Sequence, residues 1–222
     1  GFTELRFNNG GILDGQSPLP SPLVLNGSMV VEGGSELTGL KETQLEISVT
    51  EDLTLLSGGR ISVDGQGYGK ESGPGAGADS GSYGGGGGHG GAGGNGSGTG
   101  ANGGGSYGSV SQPIDFGSGG GSANGGSWGV GRTGGGAAKL DIGGELFVDL
   151  GCSVSADGRG AGNSYAGGGA GGSLWITANG VSGGGIISAN GGNGSVYGGA
   201  GGGGRIAFYT INGVSNVTVE VA

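Results

Sequence analysis

The sequence predicts an all-β repeat protein, most consistent with a parallel β-solenoid that carries long glycine-rich loops. A short strand motif recurs at 61–65, 154–158 and 187–191, and a second alternating motif precedes each copy. In that second motif, Leu140 to Leu174 is 34 residues and Leu174 to Ile206 is 32. Near-constant intervals in two motifs predict stacked coils, because single repeats cannot bury their apolar side alone.

The composition points the same way. Glycine makes up 69 of the 222 residues, and no stretch combines helix formers with a 3.6-residue period. Asn26-Gly27 and the Asn-Asn-Gly-Gly run at 8–11 resemble hairpin turns, so an antiparallel β-sandwich is the alternative fold.

The elements follow in chain order from the alternating motif. Copies of this motif predict six coils of one domain covering residues 1–222, and begin at Leu5, Leu23, Leu45, Leu140, Leu174 and Ile206. The interval after Leu45 is long enough for one repeat plus a glycine-rich insertion at about 66–136. The strands alternate apolar and polar residues, as half-buried strands do.

The glycine tracts predict extended strands of the polyproline-II type, packed side by side. Their backbone groups need neighbours, because such a strand has no internal hydrogen bonds. Only glycine permits that close approach. The tracts stand at 84–88, 90–96, 167–172 and 198–204.

Asp64, Asp157 and Asn190 occupy equivalent positions of the strand motif, each directly before a glycine. Stacked coils would place them about 5 Å apart, near the spacing of strands. An acid pair or a calcium site is one interpretation. Local turn chemistry is the favoured one, because the third member is Asn and all three precede glycine.

Charge and composition argue against several functions. The net charge is −9 with eight scattered basic residues, which disfavours nucleic acid as a partner. No apolar run is long enough for membrane insertion. Gly-x-Gly-x-x-Gly matches occur, but no helix is predicted after them, so a nucleotide-binding loop is rejected.

His89 and Cys152 are the single residues of their types. A zinc site is therefore disfavoured, and no cofactor, metal or catalytic residue is predicted. Cys152 is expected in the core and His89 at the surface or capping the glycine layer.

Aromatic residues stand near the starts of the glycine tracts. They either cover the glycine layer and anchor the loop ends, or form a row of rings that binds sugars or a partner. These candidate binding residues are Tyr83, Tyr107, Trp128, Tyr165 and Tyr197.

Four Asn-x-Ser/Thr sequons are candidate N-glycosylation sites. Their asparagines are Asn26, Asn95, Asn193 and Asn216, of which Asn26 and Asn216 are favoured because they lie near predicted strand ends.

Three features of the sequence carry a resemblance to a known class of proteins: the Gly-Gly-Arg-Ile motifs that end at Ile61 and Ile206, the Ile-Ser-Ala-Asn-Gly-Gly-Asn-Gly run at 187–194, and the long polyglycine loops. Together they resemble glycine-rich repeat regions of large secreted or surface proteins of bacteria. This resemblance covers roughly residues 45–210 and implies an extracellular or cell-surface location. In composition, the tracts are also similar to the polyglycine-II bundles of phage tail-tip adhesins and of an arthropod antifreeze protein.

The first functional hypothesis is a non-enzymatic structural subunit of a surface filament or coat. Strand-like segments near both ends of the sequence would pair with other copies, head to tail or by strand exchange. The edge residues are Phe2, Leu5, Phe7, Val217, Val219 and Val221.

The second hypothesis is an adhesin or carbohydrate-binding module that uses the aromatic residues of the glycine loops. Ice binding ranks lower because no Thr-x-Thr ladder is present. A polysaccharide-degrading enzyme ranks last.

Overall fold

The computed structural model describes residues 4–7, 12–14 (backbone only), 22–162 and 165–222. Sixteen short strands contain nearly all the regular structure of these residues. In chain order they are β1 (Glu4–Phe7), β2 (Ile12–Asp14), β3 (Leu23–Leu25), β4 (Ser28–Val31), β5 (Glu36–Thr38), β6 (Leu45–Val49), β7 (Leu53–Leu55), β8 (Arg60–Ser62), β9 (Ala137–Ile142), β10 (Glu145–Val148), β11 (Ser153–Ser155), β12 (Ser173–Ala178), β13 (Gly180–Gly183), β14 (Ile186–Ser188), β15 (Arg205–Thr210) and β16 (Thr218–Glu220).

The strands form three parallel sheets, which confirms the β-solenoid. Sheet A has the order β1-β4-β7-β10-β13, sheet B has β16-β14-β11-β8-β5-β2, and sheet C has β15-β12-β9-β6-β3. Every strand pair in the described residues is parallel, so the antiparallel sandwich is wrong. Asn26-Gly27 joins β3 of sheet C to β4 of sheet A and is therefore a corner of the solenoid, not a hairpin turn. The run at 8–11 lies outside the described residues.

Each coil contributes three strands, one to each sheet, and not the two that the sequence motifs predict. The chain completes five such coils; a sixth begins at Val214, which forms a parallel bridge with Val181 of β13, and continues with β16 in sheet B. Leu5 belongs to sheet A, whereas the other five motif starts belong to sheet C. The sheet A strands were missed as a separate class because β7 has only three residues and β13 is half glycine.

The register also differs from the motif alignment by two residues at β9. Leu140 pairs with Ile47 and Ile176, while Leu174 pairs with Ala138. A shift of two keeps every side chain on the same face of the sheet, so an alternating pattern does not distinguish the two registers.

Apolar side chains from the three sheets stack inside the solenoid as one continuous core. The core also includes Cys152, as predicted, which is buried and free. Its largest fully buried aliphatic side chains are Met29, Ile47, Leu53, Leu55, Ile61, Leu140, Leu146, Leu174, Ile176 and Ile187.

At one corner, between sheets B and C, three successive coils carry long glycine-rich connections. These are 63–136, 156–172 and 189–204, and together they form what we call the glycine bundle. The first corresponds to the insertion predicted at about 66–136. Its only helix is a three-residue 3-10 turn, Asn124–Gly126. No helix in the described part of the chain is long and apolar enough to cross a membrane.

Extended segments of the bundle bond to one another through their backbones, with a period of three residues. In segment 84–89, the N–H groups of residues 84 and 87 donate to carbonyl oxygens of segment 165–168. Those of residues 85 and 88 donate to segment 75–78, and those of residues 86 and 89 donate to segment 91–94. All six N···O distances are 2.7–2.9 Å. Three residues per turn is the period of the polyproline-II helix. Successive amides therefore point to three different neighbours.

The carbonyl groups of segment 84–89 complete the arrangement. They accept from segments 199–202 and 104–107 and from residue 121, at 2.7–2.9 Å. The segment is thus surrounded by six others and is fully buried. This arrangement satisfies the backbone groups that such a strand leaves free, and it confirms the prediction of polyproline-II-like glycine loops.

Side chains are excluded from the inside of the bundle by steric contact. A Cβ added at Gly84, Gly85 or Gly86 would lie well under 3.0 Å from a carbonyl oxygen of a neighbouring segment, a separation that real Cβ atoms essentially never show. The high glycine content of this region therefore follows from the distance between its segments.

Candidate aromatic binding site

Four of the five predicted aromatic residues meet at one end of the glycine bundle. We call this group the aromatic cluster, and its members are Tyr83, Trp128, Tyr165 and Tyr197. Each stands one or two positions before a bundle segment begins with glycine.

Parallel pairing of the segments brings these residues together. The N–H of Gly84 donates to the carbonyl of Tyr165 at 2.8 Å, and the N–H of Gly199 donates to the carbonyl of Gly84 at 2.9 Å. The N–H of Arg132 donates to the carbonyl of Gly167 at 3.2 Å, which aligns segment 129–136 with the same group. Residues that precede aligned parallel segments lie at the same end of the bundle.

Tyr165 is the centre of the cluster and contacts the other three rings. It stacks on Tyr197 with a centroid distance of 5.6 Å and an interplanar angle of 10°. Its centroid lies 5.8 Å from that of Tyr83 and 6.2 Å from that of Trp128, with tilted rings. Such distances and tilts are typical of favourable aromatic pairs.

A pocket of about 310 Å³ opens between these rings. It is lined by Ser82, Tyr83, Trp128 and Tyr165. Trp128 is 54% exposed although it is one of the largest apolar side chains of the protein. An exposed ring beside a concave aromatic surface is a common feature of binding sites for small molecules.

The hydroxyl groups of the cluster make no hydrogen bond to the described residues, unlike those of two other tyrosines. The Tyr107 hydroxyl donates to the carbonyl of Phe116 and contacts the Ser118 hydroxyl at 2.8 Å. The Tyr209 hydroxyl donates to the carbonyl of Ser111 at 2.6 Å. Tyr107 and Tyr209 thus bond the protein itself, whereas the three tyrosine hydroxyls of the cluster have no partner among the described residues.

Asp79 joins the two turns that carry pocket rings. Antiparallel bridges close these turns at 79–84 and 123–129. The Asp79 carboxylate accepts from the N–H of Gly81 at 2.7 Å and from the N–H of Gly125 at 2.9 Å. It thereby sets the position of Tyr83 relative to Trp128. Sequence reasoning missed Asp79 and Ser82, although an Asp two residues before a glycine is typical of an Asx turn.

Tyr107 lies at the opposite end of the bundle, because it ends its extended segment instead of preceding it: segment 104–107 runs parallel to segment 84–89, and the N–H of Tyr107 donates to the carbonyl of His89. Its ring packs on that of His89 with centroids 4.9 Å apart. Burial raises the pKa of Tyr107 to about 12. The prediction that Tyr107 is a surface-binding ring therefore does not fit its surroundings, which are those of a packed structural residue.

His89 is fully buried beside Tyr107, so the expectation of a surface position is wrong. Its Nδ1 lies 2.9 Å from the carbonyl oxygen of Gly171 and its Nε2 has no hydrogen-bond partner among the described residues. Burial lowers the pKa of His89, more strongly than the bond to Gly171 raises it. The side chain is thus neutral near pH 7 and fills the end of the bundle.

The row of Asp64, Asp157 and Asn190 is stacked as predicted. An oxygen of Asp64 accepts from the N–H of Asp157 at 2.7 Å, and an oxygen of Asp157 accepts from the N–H of Asn190 at 2.6 Å. These bonds support the interpretation as backbone-holding residues. No group of three or more metal-ligating side chains occurs in the described residues.

All four sequon asparagines, Asn26, Asn95, Asn193 and Asn216, are exposed. Their glycosylation stays a prediction.

The predicted assembly residues lie on outer strands of the sheets. β1 carries Leu5 and Phe7, which are half-buried against the core. β16 carries Val219, which is 44% exposed, and Val221 follows it with 49% exposed. Val217 packs partly on the core, while Phe2 lies outside the described residues.

Comparisons of this chain with protein-family models, with curated proteins and with solved structures gave no match.

Proposed function

We propose that the protein is an extracellular, non-enzymatic adhesion module that binds carbohydrate through the aromatic cluster. The observation that carries this proposal is the convergence of four rings from four separate segments, three of which line one pocket, while the tyrosine hydroxyls of the cluster make no hydrogen bond to the described residues. Stacked rings bind the apolar faces of sugars, and phenol hydroxyls bind their polar edges. The rigid bundle holds the rings in place before a ligand arrives, which lowers the entropic cost of binding.

Replacement of the most exposed pocket ring tests the proposal. We expect Trp128→Ala to weaken binding to an immobilised oligosaccharide panel about tenfold, which corresponds to about 1.4 kcal/mol of lost stacking. Tyr209→Ala is the matched control, because Tyr209 is 45% exposed but outside the cluster.

Circular dichroism of both variants would establish that the fold is retained. Absence of binding by the unmodified protein, or equal binding by Trp128→Ala, would overturn the proposal.

A second candidate function is end-to-end assembly, favoured by the sheet edges. β16 pairs only with β14, and β1 pairs only with β4, within the described residues. A second copy stacked along the solenoid axis would place its β2 beside β16 and its β3 beside β15. Such head-to-tail contacts repeat without closing and form filaments.

We expect electron microscopy of the unmodified protein to show regular filaments. Val219→Lys should disperse them, because charged side chains on an edge strand oppose pairing. Val110→Lys is the control, since Val110 is 74% exposed and lies in the bundle instead of at a sheet edge. Dispersed single particles of the unmodified protein would contradict this candidate.

A further inference from the structure

We infer that the aromatic cluster selects uncharged glycans over glycans that carry carboxylate or sulfate groups. This inference rests on the proposed function and adds the ligand class. It follows from the residues that line the pocket and from the charged groups beside it.

Among the described residues, the pocket lining has no side chain that is charged at neutral pH. Its members are a serine, two tyrosines and a tryptophan. A buried or half-buried anion requires a charged partner or several hydrogen-bond donors. The hydroxyl of Ser82, the phenol groups of Tyr83 and Tyr165 and the indole N–H of Trp128 suit neutral hydroxyl groups instead.

Among the described residues, Asp79, Glu71 and Lys70 are charged residues that adjoin the turns of the pocket, and the Glu71 carboxylate accepts from the N–H of Ser122 at 3.0 Å. Asp79 accepts a backbone N–H at each carboxylate oxygen and is not among the residues that line the pocket, so it adds negative charge beside the site. Lys70 is a cation near the second turn, since a Cβ at Gly126 would lie 3.6 Å from its Nζ. Lys70 does not line the pocket.

The charge of the whole chain acts in the same direction. At −9, the protein repels an approaching polyanion over roughly 10 Å at physiological salt. A neutral glycan meets no such barrier.

The test compares neutral oligosaccharides (gluco-, manno- and N-acetylglucosamine oligomers) with size-matched uronate and sulfated oligosaccharides, by calorimetry on the whole chain. We expect neutral ligands to bind at least tenfold more tightly. Their affinity should change less than about twofold between about 0.05 M and 0.5 M salt, because no ion pair is screened. Trp128→Ala should lower the affinity for neutral oligosaccharides, and Lys70→Gln should leave that affinity unchanged.

The two proposals fail in different ways. If anionic oligosaccharides bind as tightly as neutral ones, and both Trp128→Ala and Lys70→Gln weaken that binding, the selectivity inference is overturned while carbohydrate binding stands. If no oligosaccharide of either kind binds, both proposals fail.

Discussion

Asp157 illustrates how single polar side chains connect successive coils of the solenoid. One carboxylate oxygen accepts from the N–H of Asn190 at 2.6 Å, and the other accepts from the Ser188 hydroxyl at 3.0 Å. Asn190 repeats the arrangement by accepting from the N–H of Ala222 at 2.9 Å. Each member of the row therefore satisfies a backbone donor of the following coil.

Asp157 stabilises the fold through the hydrogen bonds that its oxygens accept, whereas its partly buried negative charge destabilises the fold. Burial raises the pKa of Asp157 above its ordinary 3.8, and the nearby carboxylate of Asp64 adds to this effect. We expect Asp157→Ala to lower the free energy of unfolding by about 1–3 kcal/mol, because it leaves the N–H of Asn190 unpaired. Asp157→Asn, which keeps one acceptor, should be neutral or stabilising at pH 7. Urea unfolding of both variants measures the difference.

The pH dependence provides the control for this prediction. A raised pKa means that the folded protein binds more protons than the unfolded chain just above pH 3.8, so stability from this group falls as pH rises through that window. Asp157→Asn should therefore gain stability relative to the unmodified protein between pH 4 and pH 7. A constant difference across that range would contradict the assigned role of the charge.

At the scale of the element, the extended glycine segment is the unit of the bundle. Its amides point in three directions, so each segment is held by several neighbours and not by two strands in one plane. The arrangement depends on short distances between backbones and on few side-chain contacts. Its stability is therefore more sensitive to added volume than to lost hydrophobic area.

Alanine substitutions at two glycines, Gly86 and Gly105, distinguish this steric effect from the loss of glycine's conformational freedom. A Cβ on buried Gly86 would meet the carbonyl of Ala200, whereas a Cβ on exposed Gly105 would meet nothing within 4 Å, and neither residue has a positive φ. We expect Gly86→Ala to destabilise the protein by about 1–3 kcal/mol or more. Gly105→Ala should change stability by less than about 0.5 kcal/mol.

Chemical denaturation monitored by tyrosine and tryptophan fluorescence is the measurement, because the aromatic cluster reports on the bundle end. Equal destabilisation by the two substitutions would show that the loss of glycine, and not the close approach, is responsible.

On the scale of the whole molecule, sequence periodicity predicted the solenoid but not its cross-section. The motif around Ile61, Val154 and Ile187 is regular enough to identify sheet B. Sheet A was not separated, because strands such as β13 have a single buried apolar side chain, that of Val181, beside two glycines and a serine. Short strands with few apolar residues leave little pattern to detect.

The candidate site was predicted in composition but not in arrangement. The rings were identified from their position before glycine tracts, yet their convergence depends on which segments run parallel. Tyr107 follows its extended segment instead of preceding it, so it lies at the other end although segment 104–107 also runs parallel to segment 84–89. Segment direction arises from the path of the chain through three coils, and residue spacing does not encode it locally.

The tight contacts inside the bundle also restrict how its sequence can change over generations. Every single-base change in a glycine codon that alters the amino acid adds at least a Cβ, and at Gly84, Gly85 or Gly86 a Cβ has no room. We therefore expect natural variants to keep glycine at these buried positions while exposed positions such as Gly105 vary. Invariance there would reflect packing and would not mark a binding or catalytic residue.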